Sequence, residues 1–227
     1  MEVLSNIPVE LETEVVLSHL RVGKGSEDAD RARELLDIVR EMVNPKAIYD
    51  LCAVDEKGSD TVEIDGVVFT SRVLRVNLEE AHRVFPHVAT CGRELEEVPG
   101  VAGDPLLEYW LEELKVMALA AAGKHLREHI DAKYKPGKMS GMAPGSLEDW
   151  PVTQQKQLFS LLGDVEGKIG VRLTDSFLML PLKSVSGLLF PTETSFESCL
   201  LCPRKVCPGR RARYDPDLWE ERYAKKR

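Results

Sequence analysis

No stretch of this 227-residue sequence approaches the roughly 18 consecutive apolar residues of a membrane-spanning helix, which excludes one. The first residues lack the basic-then-apolar order of a secretory signal, so a cytoplasmic setting is expected, with no membrane partner. No internal repeat appears, and no linker is long enough to force a split into separate domains. Cysteine is scarce: five residues, an odd number without a secretion signal, do not describe a disulfide framework. Excess positive charge is also missing. The net charge is −8, and an acidic body argues against a nucleic-acid partner.

What is present is an ordinary globular composition, 43% apolar and 30% charged, able to bury a core without staples. Charge is unevenly spread. From Leu201 to Arg227 nine Lys/Arg face four Asp/Glu, a local +5 that leaves −13 for the first 200 residues. That basic tail suits phosphate, the acidic face of a partner, or a solvated helix end.

Glu14-Val15-Val16-Leu17 reads as a short strand. Ser26, followed by Glu27, Asp28 and Asp30, starts a helix, because the side-chain oxygen and acidic first turn answer free N–H groups. Leu35, Leu36, Ile38, Val39 and Val43 continue it until Asn44-Pro45. Ala47–Val54 reads as a buried strand. Asp65-Gly66 between Thr61–Ile64 and Val67–Thr70 predicts a hairpin. Val84–Thr90 is a further strand, followed by a helix through Glu94 to Val98. The longest element is a helix from Asp104 to about Ala132, capped by Asp104 with Pro105 in its first position. Its stripe is Leu107, Trp110, Leu111, Leu114, Met117, Ala118 and Ala121. His125 and His129 share one face, a spacing that can bind metal, but no third ligand is nearby in sequence and surface or partly buried histidines are expected. The expected fold is a single mixed α/β (α+β) domain with a mainly antiparallel sheet and one long helix, residues 1–197, followed by a cysteine-containing basic tail, 198–227.

The specialised residues concentrate between Lys138 and Cys207. Gly137, Gly141 and Gly145, with Pro136 and Pro144, make a loop in which glycine permits close backbone approach. It serves either to reverse the chain or to hold a ligand. Asp149-Trp150-Pro151 opens a helix with Gln154, Gln155, Leu158 and Leu161. Ile169–Leu173 reads as a strand, and Ser184–Phe190 as another with Ser184 and Ser186 on one face. Those serines either bond a ligand or face water.

Cys199-x2-Cys202-x4-Cys207 is the clearest chemical signal. Cysteines two residues apart let both thiolates reach one metal, and prolines directly after cysteines also occur around iron–sulfur ligands. Three ligands is one short, and Cys91 or Cys52 is the candidate fourth. An iron–sulfur cluster, a structural zinc site and free thiols all remain open. Arg204, Lys205, Arg210, Arg211 and Arg213 would favour thiolates or an anionic cluster. The spacing is not the C-x3-C-x2-C of radical S-adenosylmethionine enzymes.

The order of Pro-Gly loop, Trp-Pro, Gln-rich helix, Ile-Gly-Val and Leu-Pro-x-Lys-Ser-Val-Ser-Gly resembles the activation domain of cobalamin-dependent methionine synthase. It is more closely similar to small stand-alone proteins of anaerobes related to that domain. The likeness is strong over 138–190 and weaker over 45–135. It implies an accessory protein that caps a corrinoid-binding methionine synthase or related corrinoid protein and helps return oxidised cobalt to the methyl cycle. Cobalamin would sit on the partner. It further implies that the loop holds S-adenosylmethionine through Arg-x-x-Pro-Gly-Tyr. Pro144 and Gly145 match, Gly141 stands at the arginine and Ser146 at the tyrosine. Glycine cannot replace a guanidinium fork for a carboxylate, and Lys138 offers only a point charge. Ser184, Ser186 and Gly187 match the family pattern beside the loop. With the cysteines Cys91, Cys199, Cys202 and Cys207 as metal ligands, the expectation is reduction through a cluster rather than methyl donation. The alternative is a zinc-stabilised interaction module without catalytic activity.

Overall fold

Strands of alternating character dominate the sequence of elements. A computed structural model describes residues 1–23 and 25–224; Lys225, Lys226 and Arg227 of the basic tail lie outside the described residues. The strands are β1 (Glu2–Leu4), β2 (Lys46–Tyr49), β3 (Cys52–Lys57), β4 (Thr61–Ile64), β5 (Val67–Thr70), β6 (Arg83–Thr90), β7 (Met139–Met142), β8 (Arg172–Leu173), β9 (Met179–Leu180) and β10 (Ser184–Pro191). Eight of them form one antiparallel sheet, and β8 and β9 form a separate ribbon. The centre is β6, which pairs with β2 and β3 on one side and β10 on the other.

Period-two patterning decides what each face carries. Ala47, Tyr49, Phe85 and Ala89 turn to one side, where Ala122, Leu126 and Ile130 of the helix α4 (Pro105–Tyr134) cover them. Ile48 and Val88 turn to the other, under Leu162 of α5 (Gln155–Leu162) and Val165 and Ile169 of α6 (Val165–Ile169). The amino-terminal half of α4 packs its Trp110, Leu111, Leu114 and Ala118 against α1 (Thr13–His19) and α2 (Glu27–Met42). The hairpin β4–β5 turns at Asp65 and Gly66, both with positive φ. With α3 (Arg72–Asn77) it encloses Trp150, Phe190 and Tyr223. The segment after 197 thus packs on the body: Tyr223 Oη donates to Asn77 Oδ1 at 3.0 Å.

The α2 helix, with Ser26 accepting from the Ala29 amide, and α4, with Asp104 accepting from Leu106 and Leu107, form as their caps predict. Four expectations are corrected. Glu14–Leu17 is helical, because Val16 and Leu17 are both buried beside α2, a pairing that alternation along a strand would not give. Ile169 ends a helix: Asp164 caps it and Gly170 terminates it at φ 74°. The expected strand Ala47–Val54 breaks at Asp50, though it stays beside β6 through Asp50 N to Pro86 O at 3.1 Å. Residues 93–97 form a 3₁₀ turn rather than an α-helix. Among the described residues, no helix is long and apolar enough to cross a membrane.

Candidate functional site

The site arises from a mismatch in strand length. β6 pairs with Ser184–Leu189 of β10, but β7 pairs only with Leu188–Pro191. At Met142 the chain leaves β7 and turns through Ala143–Ser146, so Ser184–Gly187 has a strand neighbour on one side alone. A cavity of about 690 Å³ opens there, between the loop, β10 and one face of α4. Residues 139–142 are therefore strand rather than loop, since their amides are needed to pair with β10. A larger cleft, about 1200 Å³, is lined by Asn6, Met42, Asn44, Arg93, Glu94 and Pro181 and contains none of the candidate binding residues.

Backbone approach shapes the cavity. At Gly187 an added Cβ would lie 2.6 Å from the Met142 carbonyl oxygen, so only glycine lets β10 and the loop come this close. Gly145 adopts φ 82° and donates its N–H to Trp150 O at 2.7 Å, closing the turn. Pro144 and Ser146 line the cavity, and Ser146 Oγ donates to Ala143 O at 2.6 Å. The loop's far end is anchored away from the cavity. Asp149 accepts from Arg72 N and Val73 N and from Ser71 Oγ, while Gln154 exchanges two bonds with the Thr70 backbone.

Both serines are buried on the α5 face rather than turned to water. Ser184 Oγ donates to Thr90 Oγ1 at 2.9 Å, and Ser186 Oγ accepts from Gln155 Nε2 at 3.0 Å. Gln155 Oε1 is buried with no hydrogen-bond partner among the described residues. His87 lies across from Gly187 in the register and also lines the cavity. Burial pushes its imidazole down to about 4, with the Arg127 charge adding to the effect against a weak bond to Phe85 O. Lys138 is not among the lining residues; its Nζ reaches Glu193 O at 3.5 Å.

Sequence reasoning missed the helix wall, where Gly123, Lys124 and Arg127 face the cavity. The available signal was Gly123, a glycine inside a long helix, four residues before Arg127 and so on the same face. A Cβ at Gly141 would lie 3.3 Å from Arg127 Nη2, so the guanidinium stands over that glycine.

Cys199, Cys202 and Cys207 line the same cavity. Arg210 knits their loop by donating to the carbonyls of Cys199, Cys202, Arg204 and Ala212. The Arg211 N–H, 3.5 Å from Cys199 Sγ, holds that thiol below its ordinary range, with the Ala212 N–H and the charges of Arg211 and Arg210 assisting. Cys91 stands elsewhere, fully buried beside Leu95 and Trp110, where burial pushes its thiol up to about 11. Cys52 is buried near Val62 and Leu74. Among the described residues, no three His, Cys, Asp or Glu side chains are arranged to hold a metal ion. His129, the other metal candidate, pairs with Glu2 at 2.7 Å.

Residues 126–198 match the family model described as vitamin B12 dependent methionine synthase, activation domain. The chain resembles that activation domain. A crystal structure of the MetH reactivation domain bound to AdoHcy shares the fold, with a TM-score of 0.62 and 18% identity over 87% of this chain and 81% of that one. No curated protein sequence matches. The activation-domain match spans the loop, α5 and the open half of β10, and it stops one residue before Cys199.

Proposed function

We propose that the chain assists the reactivation of cobalamin carried by methionine synthase or a related corrinoid methyltransferase. Its cavity accepts S-adenosylmethionine or the demethylated product. The observation that carries this reading is the cavity itself, built by the activation-domain-like segment where Gly187 leaves room for the backbone alone. The chemistry of the wall supports the fit: close backbone approach at Gly187 and cations from α4. When bound, S-adenosylmethionine would supply a methyl group to cobalt. The chain's own residues would bind it, fix its orientation and keep water from the reacting end. Leu178, Leu182 and Val185 are exposed apolar side chains at or just before the open half of β10, which suits a partner-facing rim.

Calorimetric titration of the purified protein with S-adenosylmethionine and S-adenosylhomocysteine tests the ligand. Saturable binding with a Kd on the order of micromolar is expected. A corrinoid domain in the cob(II) state, given reductant and S-adenosylmethionine, should return to the methyl form faster when the protein is added. Absence of binding, together with one zinc per chain and unfolding on chelation, would instead make this a metal-stabilised interaction module.

A further inference from the structure

The cavity has a strongly one-sided charge. Lys124, Arg127, Arg204 and Arg211 line it against the single carboxylate of Glu197, and Glu197 is engaged with Arg211 at 3.0 Å. Lys124 has Glu128 at 3.8 Å. Arg127 differs from these: among the described residues it makes no hydrogen bond or ion pair. Desolvation and the neighbouring Arg211 work against its charge, offset in part by Glu197 and Asp131, so an anion bound there would favour it. Its guanidinium lies over the backbone at Gly141, where any side chain would be pressed against both Arg127 Nη2 and Leu189 Cδ2, the latter at 3.0 Å. Gly123, one turn earlier on α4, leaves the approach along the helix open, with nothing within 4 Å of an added Cβ.

We infer that Arg127, reaching from α4 across Gly141, is the group that holds the carboxylate of the cavity's ligand. The inference rests on the ligand reading above and specifies the part of the ligand that is recognised. A planar fork suits a carboxylate through two parallel N–H···O bonds, and a lysine offers no such fork. The glycine is part of the same device: it clears the strand so that the helix can supply the cation.

The experiment compares S-adenosylhomocysteine with its decarboxylated analogue, binding each to the wild-type protein, Arg127→Ala and Arg127→Lys by calorimetry. The wild type should prefer the carboxylate-bearing ligand. Arg127→Ala should weaken that ligand on the order of 10- to 100-fold, as loss of charged hydrogen bonds does, and leave the analogue unchanged, so that the preference disappears. Arg127→Lys should fall between. Circular dichroism and the unfolding midpoint check that each variant folds. Equal affinity of wild type and Arg127→Ala for S-adenosylhomocysteine overturns the inference while the proposed ligand stands. A loss of both ligands in folded Arg127→Ala also overturns it, since the arginine would then be shaping the cavity rather than reading a carboxylate. No binding of either ligand to the wild type overturns both readings.

Discussion

The two halves of β10 share one strand and meet opposite fates. Leu188–Pro191 lies between β6 and β7, and its Leu188, Leu189 and Phe190 are buried in the core. Ser184–Gly187 has β6 alone beside it and carries two serines whose bonds run to Thr90 and Gln155, with Val185 exposed between them. The first kind of surface is satisfied by packing, which is indifferent to what solvent contains. The second leaves a backbone edge, which a ligand can complete. A strand that changes composition midway marks where the fold stops serving itself.

Breaking the closed half should have the largest effect. Phe190→Ala removes a fully buried ring from the core around Trp150 and Tyr223, and should cost about 3–5 kcal/mol in thermal or urea unfolding. A loss under about 1 kcal/mol would mean that the two halves are not energetically distinct. Next comes closing the open half. Gly187→Ala places a Cβ 2.6 Å from Met142 O and should cost about 1–3 kcal/mol while abolishing binding in the cavity. Retained affinity in that variant would show that the open half is not where ligands go.

A smaller effect follows from His87. Its folded value of about 4 lies below the ordinary 6.5, so the unfolded chain binds the extra proton first. Stability should therefore fall as pH drops from 6.5 towards 4, and level off below. The ring still borders the cavity, so the change should be on the order of 1 to 2 kcal/mol, and His87→Gln should flatten it. A wild-type profile already flat across that window would place His87 in a wetter setting than its neighbours indicate. Smallest in energy is the contrast between thiols. Brief iodoacetamide treatment of native protein, read by mass spectrometry, should modify Cys199 before Cys91, and Cys91 only on unfolding. Equal rates would erase the distinction between core and cavity mouth.

Elements with strong local signals could be read from the sequence alone. The long helix, the Asp65-Gly66 hairpin and the strand Ser184–Phe190 follow from caps, turn residues and apolar runs. Errors came where tertiary packing outvoted composition. Val15-Val16-Leu17 has strand-forming residues, yet burying Val16 and Leu17 together against α2 needs a helix. Gly170 resembled a residue within a strand and proves to be a helix terminus. Met139–Met142 held a glycine and so resembled a loop, but it pairs with β10, and a Cβ at Gly141 would press on Leu189 and Arg127. The candidate loop and strand were legible, and so was the cysteine spacing. Arg127 was not, because it lies 14 residues before Gly141 and meets it only across the gap between helix and sheet.

The cysteine segment is held at both ends. Phe196 N donates to Ser140 Oγ at 2.8 Å before it, and beyond it Arg72 Nε donates to Tyr223 O at 2.9 Å. Between those moorings the closure cost grows only slowly, about 0.6 kcal/mol for each doubling of loop length. Residues could be added or removed between Pro203 and Gly209 with little effect on the core, while each change re-spaces Cys202 and Cys207 over the cavity. The fold thus separates what must be inherited unchanged from what is free to vary: a fixed binding edge, with an adjustable set of thiols slung across it.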